Sequence, residues 1–327
     1  MKRCASFRFL PCKREVKTRM NCKIDEQLLE GLRKIIPSER ILTNEPMARH
    51  TTFRIGGIAD AFVLPSSTEE LTQILKFAKE SDIPVTILGN GSNVLVLDGG
   101  IRGLVISFGK PFSNIERDGT RIKAGAGATL GTVSLFAASH SLSGLEFAVG
   151  IPGSLGGAVF MNAGAYDGEM SQVVRAVTAV TPDGEIVRYQ KDEMEFGYRN
   201  SVFQKDSRII CEIELELTEG DPGAIQEKMT DYTRRRMEKQ PLDKPSAGST
   251  FKRPPGLFAG TLIDETGLKG FSVGDAQVSE KHAGFVVNLG NATAADVLDV
   301  ISEVKKRVQA RTGVLLEPEV RIIGEKN

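Results

Sequence analysis

Five glycines fall within residues 150–166, GIPGSLGGAVFMNAGAY, at positions 150, 153, 156, 157 and 164, and no charged side chain interrupts the run. Backbone bared in this way must satisfy its N–H and C=O groups with something other than flanking side chains. A flat ligand meets that need, because glycine lets a ring system approach to van der Waals distance and successive N–H groups form a nest for an anion or a polar ring edge. The plainer alternative is a tight structural turn packed on a strand, although turns seldom need so many glycines. A second cluster, Gly89, Asn90, Gly91, Ser92 and Asn93, combines unscreened N–H groups with a hydroxyl and two amides, which equips it for a pyrophosphate. It is not a dinucleotide fingerprint, since GxGxxG must open a helix and the residues after Asn93, VLVL, read as another strand. GAGATLG at 125–131 also misses that spacing, while Thr129 is placed to cap a following helix. Together the clusters point to a nucleotide cofactor held outside a Rossmann fold.

The elements that must position these loops alternate between strand and helix. An extended stretch, HTTFRIGGIADAFVLP, broken at Gly56 and Gly57, leads to a helix opened by Ser67 and Glu70 at capping-box spacing, with Leu71, Ile74, Leu75 and Ala78 inward. IPVTIL and GLVISF then flank the first glycine cluster as strands. Before them, Ile24, Leu28, Leu32 and Ile35 share one face of a predicted helix. Further on, Asp221 and Pro222 open a helix that stops before Pro241, and its Arg234, Arg235 and Arg236 are read as a solvated surface. Thr293 with Asp296 caps a last helix carrying Val297, Val300, Ile301, Val304 and Val308 and ending at Gly313.

At 327 residues, 40% hydrophobic and 26% charged, the composition is that of a soluble chain of two or three domains. The formal net charge of zero hides a split: residues 1–23 hold eight Lys or Arg against Glu15 alone, leaving 34 basic and 41 acidic residues, a net of −7, for the rest. That balance argues against nucleic-acid binding by the folded part. The basic head lacks the apolar core and cleavage site of a secretory leader and reads as an unstructured extension. No apolar run approaches the ~20 residues of a membrane span. Cys4, Cys12 and Cys22 lie in the head and Cys211 in an alternating strand, IICEIELEL; the spacings fit no metal pattern and suit a reducing cytoplasm.

Eight segments, taken in order, resemble the UDP-N-acetylenolpyruvoylglucosamine reductases (MurB), flavoenzymes of bacterial cell-wall precursor synthesis. They are HTTFRIGG at 50–57, GNGSNVLV at 89–96, SGLEFAVGIPGSLGGAVFMNAGAY at 143–166, FGYRNSVF at 196–203, AGSTFKRP at 247–254, LIDETGLKG at 262–270, AQVSEKHAGFVVN at 276–288 and LLEPEVRIIG at 315–324. The resemblance covers the chain from about residue 24 onward. It implies an α+β fold: a two-lobed FAD-binding domain of the vanillyl-alcohol-oxidase (PCMH-type) class, lobes about 24–84 and 85–219, and a smaller C-terminal α/β substrate domain, 220–327, with about 314–324 returning to the FAD lobes. FAD would be non-covalent, with Ser92 and Asn93 where some relatives of this fold carry an attachment His, and His50 a hydrogen-bonded structural residue. Arg54, Gly89–Asn93, Gly150, Ile151, Pro152, Gly153, Gly156, Gly157, Ala163 and Ala165 would line the cofactor.

The implied reaction is NADPH-dependent reduction of the enolpyruvyl ether of UDP-N-acetylglucosamine, with hydride from reduced flavin to the terminal carbon and a proton to its neighbour. By motif position Ser249 is the proton donor, Arg199 the cation on the substrate carboxylate, and Glu319 the third catalytic group, with Glu317 as its rival on the same extended segment. Tyr198, Arg253, Lys269, Gln277 and His282 would bind substrate, Arg253 and Lys269 at the diphosphate. No metal is implied. The chain departs from the family pattern at Asp275, commonly Gly, and at AYDG, commonly AYG. It has no segment between Tyr198 and Ser249 for a Tyr-bearing lid, which implies the shorter, lidless subtype with closure left to the C-terminal domain; a cytoplasmic monomer is expected alongside. The rivals are a sugar-lactone oxidase on the same scaffold and a nucleotide-sugar-binding module without turnover.

Overall fold

The computed structural model describes residues 24–205 and 207–326; the head with Cys4, Cys12 and Cys22 lies outside them. The first lobe is built on a four-stranded sheet in the spatial order Ile41–Pro46, Ile58–Val63, Ile101–Ser107, Val85–Leu88. Its first pair is antiparallel and the other two are parallel. The helix Thr68–Glu80 covers it, burying Leu71, Ile74, Leu75 and Ala78. Ser67 Oγ accepts the Glu70 N–H at 3.2 Å. The Glu70 carboxylate turns instead to Ser66 N–H at 2.7 Å and to the Arg40 guanidinium at 2.6 and 2.8 Å. That fork, with the Ser66 bonds, holds Glu70 down at a pKa of about 2.

Two expectations shift here. The lobe boundary does not fall at 84/85, because Val85–Leu88 and Ile101–Ser107 pair into the first sheet; the pairing is parallel and non-local, so no local signal announces it. The helix Glu26–Arg33 buries Leu29 and Leu32, followed by Ile36, while Ile24, Leu28 and Ile35 are only partly covered. It ends before Ile35, so the helical register read across 24–35 is broken.

The second lobe is a wholly antiparallel five-stranded sheet, Ile186–Gln190, Val174–Val180, Ile209–Glu216, Arg121–Gly125, Ile115–Asp118. Thr129 caps the helix Leu130–Ser139 that packs with it. Val180, Ile209 and Cys211 share one core with Leu104 and Ile106 of the first lobe. The helix Pro222–Lys239 also belongs with this lobe: it packs on Leu130–Ser139 and on the turn Glu146–Ala148, and Tyr232 stacks on Tyr166 at 4.4 Å. The boundary expected at 219/220 therefore lies, by packing, after this helix.

The remaining domain is an antiparallel sheet, Ser246–Ser249, Phe285–Asn288, Ala276–Val278, Ser272–Val273, carrying the helices Ala259–Glu265 and Ala294–Thr312. Its core is continuous with Phe53, Ile55, Leu95 and Leu97 of the first lobe. Asp275 closes a turn here, its carboxylate accepting the Asn291 N–H at 2.8 Å. The chain then returns, and Arg321–Ile323 pairs in parallel with Val94–Val96 directly after the first glycine cluster. Among the described residues no helix is long and apolar enough to cross a membrane.

Candidate active site

The two glycine loops meet. Ser92 Oγ donates to the Pro152 carbonyl at 2.7 Å, and a Cβ on Gly89 would stand 2.5 Å from Ser154 Oγ. Gly91 has φ +61 and is buried against the His50–Thr51 backbone, so only glycine fits there. Among the described residues the backbone N–H groups of Asn90, Gly91, Ser92 and Asn93 have no protein acceptor. Four free N–H donors in succession are what a pyrophosphate requires, and a cavity of about 390 Å³ lined by His50, Thr51, Thr52, Gly89 and Asn90 opens beside them. The site thus fits the phosphate portion of FAD on its own geometry. His50 is stacked on Phe62 at 4.0 Å and bonded to Glu45 at 2.9 Å.

Within 150–166 the loop character is confined to the ends. Leu155–Phe160 is a short helix capped by Ser154. Gly156 donates to Ala126 O at 2.9 Å, and a Cβ there would come within 2.8 Å of the Ala126 methyl, so this glycine serves packing in place of the expected cofactor contact. Gly150, Ile151, Pro152, Gly153 and Gly157 stay at or near the surface, as do Ala163 and Ala165. The AYDG departure builds a hairpin between Gly164–Ala165 and Gly168–Glu169 across Tyr166 and Asp167, both left-handed at φ +51 and +65. Asp167 tolerates that conformation, whereas Tyr166 does not favour it and is held there by its stack and its hydroxyl bond to Tyr232 O at 3.0 Å. Arg54, also left-handed, is exposed, and among the described residues its guanidinium has no protein partner.

Glu319 and Arg199 face one another at 2.6 Å, from the C-terminal return and the second lobe respectively. Burial pushes the Glu319 carboxyl up against the opposing pull of Arg199. Glu317 is 71% exposed and among the described residues its carboxylate meets only Lys252, at 3.3 Å, so the two carboxylates on this segment have opposite surroundings. The backbone explains the difference. Glu319 N–H donates to Thr250 O at 2.8 Å, Lys252 N–H to Glu317 O at 2.9 Å, and Asn93 reaches the Glu319 carbonyl at 3.4 Å. Glu319 is thereby fixed between the phosphate loop and the strand Ser246–Ser249. On that strand Ser249 is exposed, after a left-handed Gly248 with φ +75 that faces open space. Thr52 Oγ1 ties the same strand to the first lobe at Ser246 O, 2.7 Å.

Tyr198 hydroxyl accepts the Arg253 N–H at 3.1 Å, bringing FGYRN and TFKRP together. Lys269 is engaged by Asp264 at 2.6 Å, and Gln277 donates to Gly270 O at 3.3 Å. His282 accepts Gly284 N–H, and burial lowers its imidazole pKa, helped by the charges of Lys269 and Lys239. Two residues were missed by sequence reasoning. Arg236, read as solvated with its neighbours, is turned inward: its Cδ lies 2.8 Å from where a Gly150 Cβ would be, burial lowers its pKa, and among the described residues it has no anionic partner. One turn on, Gln240 Oε1 is buried with no hydrogen-bond donor among the described residues. The spacing Ile225, Met229, Tyr232, Arg236 was the available signal, since the first two are the buried face of that helix.

Residues 59–190 match the family model for an FAD binding domain, and residues 240–323 match that for the C-terminal domain of UDP-N-acetylenolpyruvoylglucosamine reductase. The chain is 51% identical to the reductase of that name from Exiguobacterium sibiricum, over 92% of this chain and 99% of that protein. It is 52% identical to the one from Clostridium perfringens over 88% and 94%. The crystal structure of the enzyme from Thermus caldophilus superposes with a TM-score of 0.75 at 38% identity, covering 86% of this chain and 98% of that one.

Proposed function

The chain belongs to the UDP-N-acetylenolpyruvoylglucosamine reductases and is an FAD-dependent enzyme that uses NADPH to reduce UDP-N-acetylglucosamine enolpyruvate to UDP-N-acetylmuramate in peptidoglycan precursor synthesis; from that premise we propose how its own residues divide the work. The N–H groups of Asn90, Gly91, Ser92 and Asn93 hold the FAD pyrophosphate, and the bared backbone at Gly150–Gly153, with Gly157, Ala163 and Ala165, lines the flat rings. Arg54 supplies an unpaired cation at the rim. When bound, FAD supplies the redox chemistry, carrying reducing equivalents from NADPH to the enolpyruvyl double bond.

Arg199 receives the substrate carboxylate on its planar fork, which remains matched as charge spreads into that group. Ser249 holds the proton for the carbon next to the carboxylate, a transfer a hydroxyl can make only over a short path to a strongly basic centre. Glu319 positions Arg199 in the resting enzyme and in its neutral form donates a hydrogen bond to the developing enolate oxygen. Arg236 and Gln240 on one side and Arg253 on the other meet the diphosphate, with Tyr198 against the sugar and Lys269, Gln277 and His282 along the outer wall. Between Tyr198 and Ser249 the chain is occupied by a core strand and the Pro222–Lys239 helix, which supports the lidless subtype, with closure left to the C-terminal domain. The buried free Cys211 suits a reducing cytoplasm.

The observation that carries this reading is the part-buried Arg199–Glu319 pair beside the Ser249 strand and the unpaired phosphate loop. It is tested by the visible spectrum under anaerobic conditions. NADPH should bleach the yellow protein and UDP-N-acetylglucosamine enolpyruvate should restore its colour; bleaching without restoration defeats the assigned substrate.

A further inference from the structure

Tyr198 and Arg199 are the two central residues of a tight turn. Asn200 N–H donates to the Gly197 carbonyl at 3.1 Å, and Gly197 N–H to the Asn200 carbonyl at 3.0 Å. Arg199 is left-handed at φ +54, at the third position of the turn, where glycine or asparagine is the usual occupant and an arginine is strained. Something must hold it there. Its guanidinium is bonded to Glu319 at 2.6 Å and to the Gly164 carbonyl at 3.3 Å, but these are contacts of the side chain, and the first is the one a substrate carboxylate would contest. The backbone is held separately. The side-chain amide of Gln204 has two N–H groups and meets two carbonyls, that of Arg199 at 2.9 Å and that of Phe160 at 2.9 Å, while its oxygen is turned to Arg321 at 3.4 Å. Ser201 Oγ donates to the same Phe160 carbonyl at 2.8 Å and the Asn162 amide to the Gly197 carbonyl at 3.0 Å, so the turn is fastened to the end of the glycine-rich segment.

We propose that Gln204 is a positioning residue for the reduction: by holding the Arg199 carbonyl it fixes the left-handed backbone and so aims the guanidinium at the place of the substrate carboxylate, whether or not Glu319 is still engaged. The inference rests on the role given to Arg199 above and deepens it. Without the amide, Arg199 is free to relax to an ordinary backbone conformation, which redirects its Cα–Cβ bond and carries the fork away from its target. A plain structural staple would be felt throughout the flavin site; a positioning residue is felt only where Arg199 acts.

The test is anaerobic stopped-flow spectroscopy of the flavin-loaded enzyme. Gln204→Met keeps the length of the side chain and removes both donors. It should leave flavin content and reduction by NADPH as in the parent, because the nicotinamide carries no carboxylate for Arg199 to hold, and should slow reoxidation by the enolpyruvyl substrate roughly tenfold. In an Arg199→Lys background the same substitution should cause no further loss, since the fork it aims is already gone. Parent-like reoxidation in Gln204→Met, with reoxidation impaired in Arg199→Lys, overturns the positioning role alone. Losses that multiply in the double variant do the same, as does loss of flavin or of NADPH reduction in Gln204→Met, which would mark a structural staple. Parent-like reoxidation in Arg199→Lys overturns the carboxylate role of Arg199 and the positioning role with it.

Discussion

Ser249 and Arg199 reach the same cleft from different domains, and their substitutions should fail differently. Ser249→Ala should let NADPH reduce the flavin at the parent rate but block reoxidation by the enolpyruvyl substrate, while Ser249→Cys retains slow reoxidation; anaerobic stopped-flow spectra separate the two half-reactions, and unimpaired reoxidation of the Ala variant would remove Ser249 from the chemistry. Arg199→Lys keeps the charge and loses the fork, so kcat/KM should fall roughly 100-fold, about 2.7 kcal/mol of transition-state stabilisation. Near-parent turnover would show that a point charge suffices. At this scale the sequence was partly legible. Ser249, Arg199 and Glu319 stand out through motif position, not through anything a lone Ser, Arg or Glu displays. Arg236 was hidden by its neighbours, because three consecutive arginines read as surface unless the helix face bearing Ile225 and Met229 is identified first.

Helix caps were legible because they are local: Ser67, Thr129, Asp221 and Thr293 all accept the backbone N–H three residues on. What Glu70 does with its carboxylate was not, since Arg40 lies thirty residues away in the chain. Its pKa is depressed from 4.5 to about 2, so the stabilisation it gives is complete above the ordinary value and is lost as pH falls through about 2. Glu70→Gln should therefore cost about 1–2 kcal/mol at neutral pH after solvent screening, and the gap from the parent should close towards pH 2. Urea midpoints across that range check it; a constant gap would exclude the ion pair as its source. The Pro222–Lys239 helix makes a second prediction. Gly150→Ala puts a methyl 2.8 Å from Arg236 Cδ, displacing that guanidinium, so KM for the nucleotide-sugar substrate should rise several-fold with flavin content unchanged. Unaltered KM would leave Arg236 without a role in binding.

In the molecule as a whole, the first lobe is the hub: one apolar core joins it to the second lobe and another to the C-terminal domain. The junction with the C-terminal domain was not readable from sequence, because Phe53, Ile55, Leu95 and Leu97 sit in short segments whose core partners lie far along the chain. Phe53→Ala should cost about 3–5 kcal/mol and lower amide-exchange protection in Phe285–Asn288 as well as Val94–Val96. Protection lost in the first lobe alone would mean the two regions do not share a core. The second lobe and the C-terminal domain, by contrast, meet through polar groups: Arg199 with Glu319, Tyr198 with Arg253, and Lys281 with the Met237 carbonyl at 2.6 Å. If Arg199 takes the substrate carboxylate as proposed, the first of these contacts makes ligand binding a proton-linked event. A substrate carboxylate that takes over Arg199 strips Glu319 of its counter-charge while leaving it buried, and a carboxylate in that position draws a proton from solution. The heat of substrate binding near neutral pH should accordingly differ between buffers of high and low ionisation enthalpy, with net proton uptake, and Glu319→Gln should abolish the difference.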